Sequence, residues 1–270
     1  MNAGKQKDLL EGLCIHELLD KSNYHDIKMH MTFEQAISVA QVNLSKANSA
    51  NTHAQAQQET LISISAEQIT AINNAKTLAE LKQIIQEMQH PFKQFSKNLV
   101  FSDGVDTAEI MVIGEAPGAE EDEQRKPFVG QSGMLLMDIF KTIGLIRESN
   151  FYITNILPWR PPMNQTPSLD EIKFFLPYVK KHIELINPAV LILIGATAYK
   201  AISLISDIDD KQTITQIHGK IFSINIGTCT NIQTCVLLHP SYLLRLPAQK
   251  KNMWRDVLGL EKILQTLKLL

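Results

Sequence analysis

The chain has 270 residues, 44% hydrophobic and 20% charged, with a net charge of −2, which excludes a fibrous protein and wholesale disorder. Its longest apolar runs, such as 190–194, fall far short of the roughly 20 residues of a membrane span. We also expect no secretory leader. The three cysteines, Cys14, Cys229 and Cys235, form no C-x-x-C motif and are odd in number, which favours a reducing, cytoplasmic setting without disulfides.

The first 80 residues differ from the rest of the chain. Apolar residues at helical spacing predict a short amphipathic helix over 8–20 and a second over about 32–44. The stretch 45–60 is mostly Ala, Asn, Gln, Ser and Thr, which predicts a polar linker that is disordered or loosely helical. We therefore divide the chain into an N-terminal extension, 1–80, and a main domain, 81–270.

Two helix starts stand at the end of this extension. Ser65 opens a possible helix, with Gln68 following it. Thr77 and Glu80 have the spacing of a capping box, which predicts a helix to about residue 89. Pro91 then ends that helix.

From residue 109 onward, buried strands alternate with helices. Continuous apolar runs predict four strands, at 109–114, 150–156, 189–194 and 235–238. Helical periodicity predicts helices at 132–143, 168–186, from 195 and at 250–270. This alternation predicts an α/β fold of three layers, α/β/α, with a central, mostly parallel, four-stranded sheet. Ligands of such sheets bind at the carboxyl ends of the strands.

The turn after the first strand is rich in glycine and acidic residues. Gly114 to Gly118 can expose backbone amides to a ligand, but the segment matches neither the phosphate-binding loop nor the dinucleotide motif. The acidic run 120–123 is also compatible with a solvated turn. Phe128 lies on a loop between Pro and Gly, where it is either a packing plug or a stacking surface for a planar ligand.

Polar side chains follow the second and fourth strands. Asn155 suits the edge of an amide-like heterocycle, although an Asn here also commonly bonds its own turn. His239 precedes two leucines and several cations, a combination that suits entry into a base stack and phosphate binding. With a net charge near zero, any nucleic-acid surface must be a local basic patch.

Five segments together resemble the family-four uracil-DNA glycosylases, a group that usually carries an iron–sulfur cluster. They are Gly114-Glu-Ala-Pro-Gly-Ala-Glu-Glu-Asp122, Lys126-Pro-Phe-Val-Gly130, Thr154-Asn155, Arg160-Pro-Pro-Met-Asn164 and His239-Pro-Ser-Tyr-Leu-Leu-Arg245. The resemblance covers about residues 85–270 in order and spacing, and it leaves 1–80 unexplained.

The resemblance implies a role for each residue of a uracil pocket. Phe128 would stack on a uracil that has been flipped out of the DNA, and Asn155 would bond its Watson–Crick edge and reject cytosine. Glu121 would crowd the C5 position, where thymine carries a methyl group. His239 would donate a hydrogen bond to the uracil O2. Glu115 would place water or balance the positive sugar, unless it only bonds loop amides.

The resemblance also implies the remaining contacts and the partners. Gly114 and Ala116 would complete the uracil-binding set, and Leu243 and Leu244 would fill the vacated place in the stack. The expected DNA contacts are completed by Arg160, Ser241, Arg245 and Lys250. We expect a monomer that acts on uracil-containing DNA, single- or double-stranded, without a membrane, and a protein partner that can bind through residues 1–80.

The sequence departs from the family at the cluster. The four positions of the cluster cysteines hold Glu87, His90, Trp159 and Phe175. Iron–sulfur clusters need thiolates, so we expect no cofactor and no metal. Trp159 and Phe175 are expected to fill the space instead. The loop 158–167 contains no His, so covalent capture of DNA is not expected.

Two other functions stay open at this point. The chain could be a catalytically weak DNA-binding module of the same fold, although Glu115, Phe128, Asn155 and His239 are all present. It could instead be a nucleotide-binding α/β enzyme that acts on small molecules, against which stand the missing phosphate loop and the Leu-Leu-Arg wedge. Release of free uracil from a labelled oligonucleotide separates these hypotheses.

Overall fold

A computed structural model describes residues 64–208 and 212–270, which belong to one compact unit. The predicted helices over 8–20 and 32–44, the linker 45–60 and Cys14 lie outside the described residues. None of the helices within the described ranges is long and apolar enough to cross a membrane.

The centre of the fold is a sheet of six strands in the order β1-β3-β2-β4-β6-β5. Their bounds are β1 Ser102–Gly104, β2 Ile110–Gly114, β3 Tyr152–Asn155, β4 Val190–Ile194, β5 Ile221–Ile226 and β6 Cys229–Leu237. The inner four, β3-β2-β4-β6, are parallel, and the outer two are antiparallel to their neighbours. The fold class and the four parallel strands are confirmed.

The predicted count of four strands is wrong because two edge strands escaped it. β1 has three residues, Ser-Asp-Gly, and none of them is apolar, so no hydrophobic pattern marks it. β5 does alternate, with Ile224 and Ile226 buried between exposed residues, and forms a hairpin with β6 through Gly227. Its alternation is the signal that could have revealed it.

Nine α-helices are assigned within the described ranges. They are α1 Ala66–Asn74, α2 Leu78–Glu87, α3 Ala119–Gln124, α4 Gln131–Lys141, α5 Leu169–Ile186, α6 Gly195–Ser203, α7 Ile214–Ile217, α8 Pro240–Arg245 and α9 Lys250–Thr266. Six of them begin close to predicted positions, and the three short helices α3, α7 and α8 were not predicted. At the start of α2, Thr77 accepts a hydrogen bond from the Glu80 amide at 3.1 Å, as predicted. The Glu80 carboxylate, however, accepts from the amide of Lys76 at 2.7 Å, so the reciprocal half of the capping box is absent there.

Two hydrophobic clusters lie on opposite faces of the sheet and make the three layers. Along β2, Met111 and Ile113 enter one cluster, and Ile110 and Val112 enter the other, because successive side chains of a strand point to opposite faces. Helices α1, α2, α5 and α6 cover the first face, and α4, α8 and α9 cover the second.

The compact unit starts before residue 81. Ile72 in α1 is fully buried, as are Leu81 and Ile85 in α2, and both helices pack against α5. The segment from α1 onward is therefore part of the same hydrophobic core as the sheet, rather than of a separate extension.

Candidate active site

A cavity of about 390 Å³ opens at the carboxyl edge of the parallel strands. The chain leaves β2 for β3 on one side and later places β4 on the other, so the edge beside β2 is a topological switch point where such folds bind ligands. Eight of the predicted site residues line the cavity. They are Glu115, Ala116, Glu121, Phe128, Asn155, His239, Ser241 and Arg245.

Gly114 and Asn155 stand opposite each other where β2 and β3 end. A Cβ atom on Gly114 would lie 2.3 Å from Phe128 Cζ and 2.5 Å from Asn155 Oδ1, so only glycine fits between these two side chains. Asn155 is 3% exposed, and none of the described residues bonds its side-chain amide. That amide is therefore available to a ligand in the cavity.

Phe128 is held in the cavity wall by a strained and clamped loop. Its φ of 54° is in the left-handed region, which is uncommon for a bulky residue. The guanidinium of Arg147 donates to the carbonyl oxygens of Pro127 at 2.7 Å and Phe128 at 2.6 Å and pairs with Asp103 at 3.1 Å. Sequence reasoning missed Arg147 because no local pattern links it to a loop some twenty residues earlier.

His239 is a neutral donor in this structure. Burial, reinforced by the nearby Arg245, lowers its pKa from 6.5 to about 4. The backbone N–H of Ser241 donates to His239 Nδ1 at 3.2 Å, and the Ser241 hydroxyl lies 2.8 Å from the same nitrogen. A backbone N–H can only donate, so Nδ1 carries no proton and the neutral ring carries its proton on Nε2. The ring lies 6.3 Å from that of Phe128, centroid to centroid.

Glu121 ties the two loops of the cavity together. One carboxylate oxygen accepts from the amides of Val129 at 3.1 Å and Gly130 at 2.9 Å, and the other accepts from the Gly118 amide at 3.1 Å. The side chain therefore lines the cavity while holding the Phe128 loop against the turn after β2. Its expected role beside the uracil C5 stays a prediction.

Glu115, which follows β2, is held by a residue of the helix that follows β4. The hydroxyl of Thr197, at the start of α6, donates to its Oε2. Sequence reasoning missed Thr197, although its place directly after the third predicted strand was a usable signal. The two residues also border a second lobe of about 480 Å³, which shares Glu115, His239 and Arg245 with the first.

The predicted DNA contacts are only partly brought to the cavity. Arg160 lies beside it, with its Nε donating to Asn164 Oδ1 at 2.7 Å, and Lys250 is exposed at the start of α9. Leu243 was predicted as a wedge, and this prediction is wrong because the side chain is fully buried in the core. Leu244, the other predicted wedge residue, is half-buried.

Comparison with known proteins agrees with this arrangement. Residues 101–258 match the model of the uracil DNA glycosylase superfamily. The chain is 32% identical to the type-4 uracil-DNA glycosylase of Pyrobaculum aerophilum over 67% of its own length and 91% of the relative's. It is 37% identical to the enzyme of that name from Thermotoga maritima (63% and 86%) and 40% identical to that from Saccharolobus solfataricus (60% and 74%). The chain belongs to the type-4 family of the uracil-DNA glycosylase superfamily.

Three of the four positions at which we expected the family's cluster cysteines, His90, Trp159 and Phe175, lie together in an aromatic box. His90 stacks on Trp159 with ring centroids 6.1 Å apart and lies 4.8 Å from Phe175. Phe92 and Phe174 close the box at 4.6 and 4.8 Å from His90. The side chains of the box are all buried. Trp159 and Phe175 are thus packed among rings, and that they take the place of a cluster stays a prediction.

The residues of the box do not fit an iron–sulfur cluster. None of them is a thiol, and Glu87 lies outside, exposed and bonded to Gln83 at 3.1 Å. His90 Nδ1 accepts from the Phe92 amide, and its buried Nε2 has no partner among the described residues. One imidazole nitrogen cannot replace four thiolates. In the described part of the chain, Cys229 and Cys235 are buried in β6, away from the box.

Proposed function

We propose that this chain is a uracil-DNA glycosylase of base excision repair, which hydrolyses the N-glycosidic bond of uracil in DNA and leaves an abasic site. Membership of the type-4 family supports the reaction class. One observation carries the proposal: the unpartnered side-chain amide of Asn155 and the neutral His239, with its proton on Nε2, line the same cavity.

Recognition of the base rests on Asn155 and Phe128. The Asn155 amide offers one acceptor and two donors, which match the N3–H and O4 of uracil. Cytosine presents the opposite pattern at these two atoms, so it would pair with the Asn155 amide only if the amide turned over inside the cavity. The ring of Phe128, fixed by the Arg147 clamp, supplies a flat surface for the extruded base.

The bond that breaks joins the sugar C1′ to the uracil N1, and its electron pair leaves with the base. Negative charge then develops on N1 and O2 of uracil, where the His239 Nε2–H donates a hydrogen bond. Positive charge develops on the sugar, opposite the Glu115 carboxylate that Thr197 holds in place. A water molecule adds its oxygen to C1′, and its proton is passed on to the departing base or to solvent.

The reaction needs no metal or cluster in this proposal. The residues that carry it are Asn155, His239 and Glu115 at the cavity, and we infer that the aromatic box stands where other members of the family hold their cluster. The Trp159 ring, at the start of the segment 159–167, packs against His90 and Phe175 in this box. Metal analysis of the purified protein tests this: we expect no stoichiometric iron, and a full cluster's worth of iron per chain would contradict it.

Base specificity tests the proposed function. Three otherwise identical oligonucleotides carry one labelled uracil, thymine or cytosine, and the released base is quantified. We expect release of uracil alone, and we expect abasic DNA to stay unnicked, because none of the described residues that line the two lobes of the cavity is a lysine that could form a Schiff base. Binding of DNA without base release would instead support a DNA-binding module, and release of thymine would contradict the pocket assigned above.

The wider setting stays a prediction from the sequence. Of the extension predicted over residues 1–80, the part from α1 onward belongs to the core, so we propose a monomer whose residues 1–63 bind a protein partner rather than take part in the chemistry. Light scattering of the full chain tests the first statement. Retention of base release after removal of residues 1–63, which precede the described structure, tests the second.

A further inference from the structure

An apolar side chain stands in solvent at the rim of the cavity. Met163 is 91% exposed, the highest value among the large hydrophobic residues described as exposed. Its neighbours Pro161, Asn164 and Gln165 line the cavity that holds Asn155. Exposure of a single methionine is ordinary, but its position beside the proposed uracil pocket is not explained by packing.

The loop holds this side chain outward in a fixed backbone conformation. Met163 and Asn164 have φ angles of 52° and 55°, in the left-handed region that asparagine tolerates and methionine rarely adopts. The backbone N–H of Asn164 donates to the Pro161 carbonyl oxygen at 3.1 Å. The side-chain Oδ1 of Asn164 accepts a hydrogen bond from Arg160 Nε at 2.7 Å. Backbone strain of this kind at the edge of a site commonly serves function.

Extraction of a base from a duplex leaves a gap in the stack, which glycosylases and DNA-bending proteins fill with an apolar wedge such as Phe, Leu, Ile or Met. Of the two leucines expected to do so, Leu243 is fully buried in the core and Leu244 is half-buried. Met163 is unbranched, flexible and polarizable, which suits contact with base faces of any sequence.

We propose that Met163 enters the base stack of double-stranded DNA beside the extruded uracil nucleotide. This inference rests on the proposed function. Its consequence is a role restricted to duplex substrates, because a single strand has no paired stack to hold open. Met163 therefore sets the preference between the two substrates without touching the reacting atoms.

The test compares excision from one oligonucleotide as a single strand and as a duplex. In M163A we expect kcat/KM on the duplex to fall about tenfold or more, the scale of losing part of an unstacking contact, with single-strand kcat/KM within about twofold of wild type. M163L keeps an apolar chain and should restore most of the duplex rate. M134A is the matched control, since Met134 is 56% exposed on α4 and does not line the cavity.

Each outcome decides the inference. An unchanged duplex-to-single-strand ratio in M163A overturns it, as does an equal loss on both substrates. Loss of the duplex rate in L246A but not in M163A would assign the wedge to Leu246, which is 49% exposed after α8, and would also overturn it. If wild type releases no uracil from either substrate, the proposed function fails first, so the two failures are distinguishable.

Discussion

Removal of the imidazole of His239 is the most informative change to the proposed chemistry. His239→Ala takes away the Nε2–H donor, while the Ser241 amide that fixed the tautomer remains. The donor is preorganised and largely shielded from water, as the depressed pKa of about 4 indicates. Loss of one such donor costs about 3 kcal/mol of transition-state stabilisation, so the single-turnover rate should fall by about a hundredfold to a thousandfold.

The assay follows release of labelled uracil with enzyme in excess, and DNA affinity is measured separately. Affinity should stay nearly unchanged, because the interaction is made mainly as charge develops on the base. Ser241→Ala is the matched control: it removes the hydroxyl but keeps the backbone N–H, so we expect less than about a fivefold loss, the scale of one neutral hydrogen bond. A His239→Ala enzyme that works at the wild-type rate would refute the assignment of the donor.

The pH dependence of the rate gives a second check on the same residue. The pKa of His239 is lowered from 6.5 to about 4 by burial, so the ring stays neutral as the pH falls through 6.5. Nδ1 takes up a proton only near pH 4, and it then no longer accepts from Ser241. The His239-dependent part of the rate should be flat through pH 6.5, and an inflection at that pH which disappears in a His239 variant would contradict the structure.

Three further predictions concern the packing around the site. Trp159→Ala should lower the unfolding free energy by about 3–5 kcal/mol in urea titrations, because Trp159 is 2% exposed, and Trp159→Cys should destabilise the fold without restoring a cluster. Arg147→Ala should raise KM for uracil-containing DNA by releasing the Phe128 loop, and an unchanged KM would show that the loop holds without its clamp. Burial lowers the pKa of His90 to about 4, so the unfolded chain binds a proton there below pH 6.5 that the folded chain refuses. His182 and His239 are shifted in the same direction, so the contribution of His90 is obtained by comparison with His90→Phe: between pH 6.5 and 4 the unfolding free energy of the wild type should fall by about 3 kcal/mol more than that of the variant, and an equal fall would contradict it.

The sequence was sufficient to predict which site residues meet where those residues stand at the ends of strands. Asn155 and His239 follow apolar runs, and parallel strands bring such ends to one edge, so their meeting in a single cavity is predictable without coordinates. The aromatic box was predictable in part, because the resemblance to the family places His90, Trp159 and Phe175 at positions where cysteines are expected. Phe92 and Phe174 complete it through tertiary packing that no local pattern reveals.

Other features of the site were not predictable, because they depend on which way a side chain points or on contacts between residues far apart in the chain. Leu243 and Leu244 are adjacent in the chain, but successive residues of a helix point about 100° apart, and the structure turns the first into the core. Arg147 and Thr197 act on loops far away in the chain, so only the fold shows their contacts. Met163 was visible within a matched motif, but its exposure and left-handed backbone were not.

The central claim is that this chain hydrolyses the glycosidic bond of uracil in DNA and does nothing else to the strand. The most direct measurement is mass spectrometry of both products from a single-stranded uracil oligonucleotide incubated with wild-type protein in water enriched in heavy oxygen. We predict free uracil and an intact strand whose abasic sugar carries the heavy oxygen at C1′. A strand that is bound but keeps its uracil, or that is cleaved or covalently attached to the protein, would contradict the account.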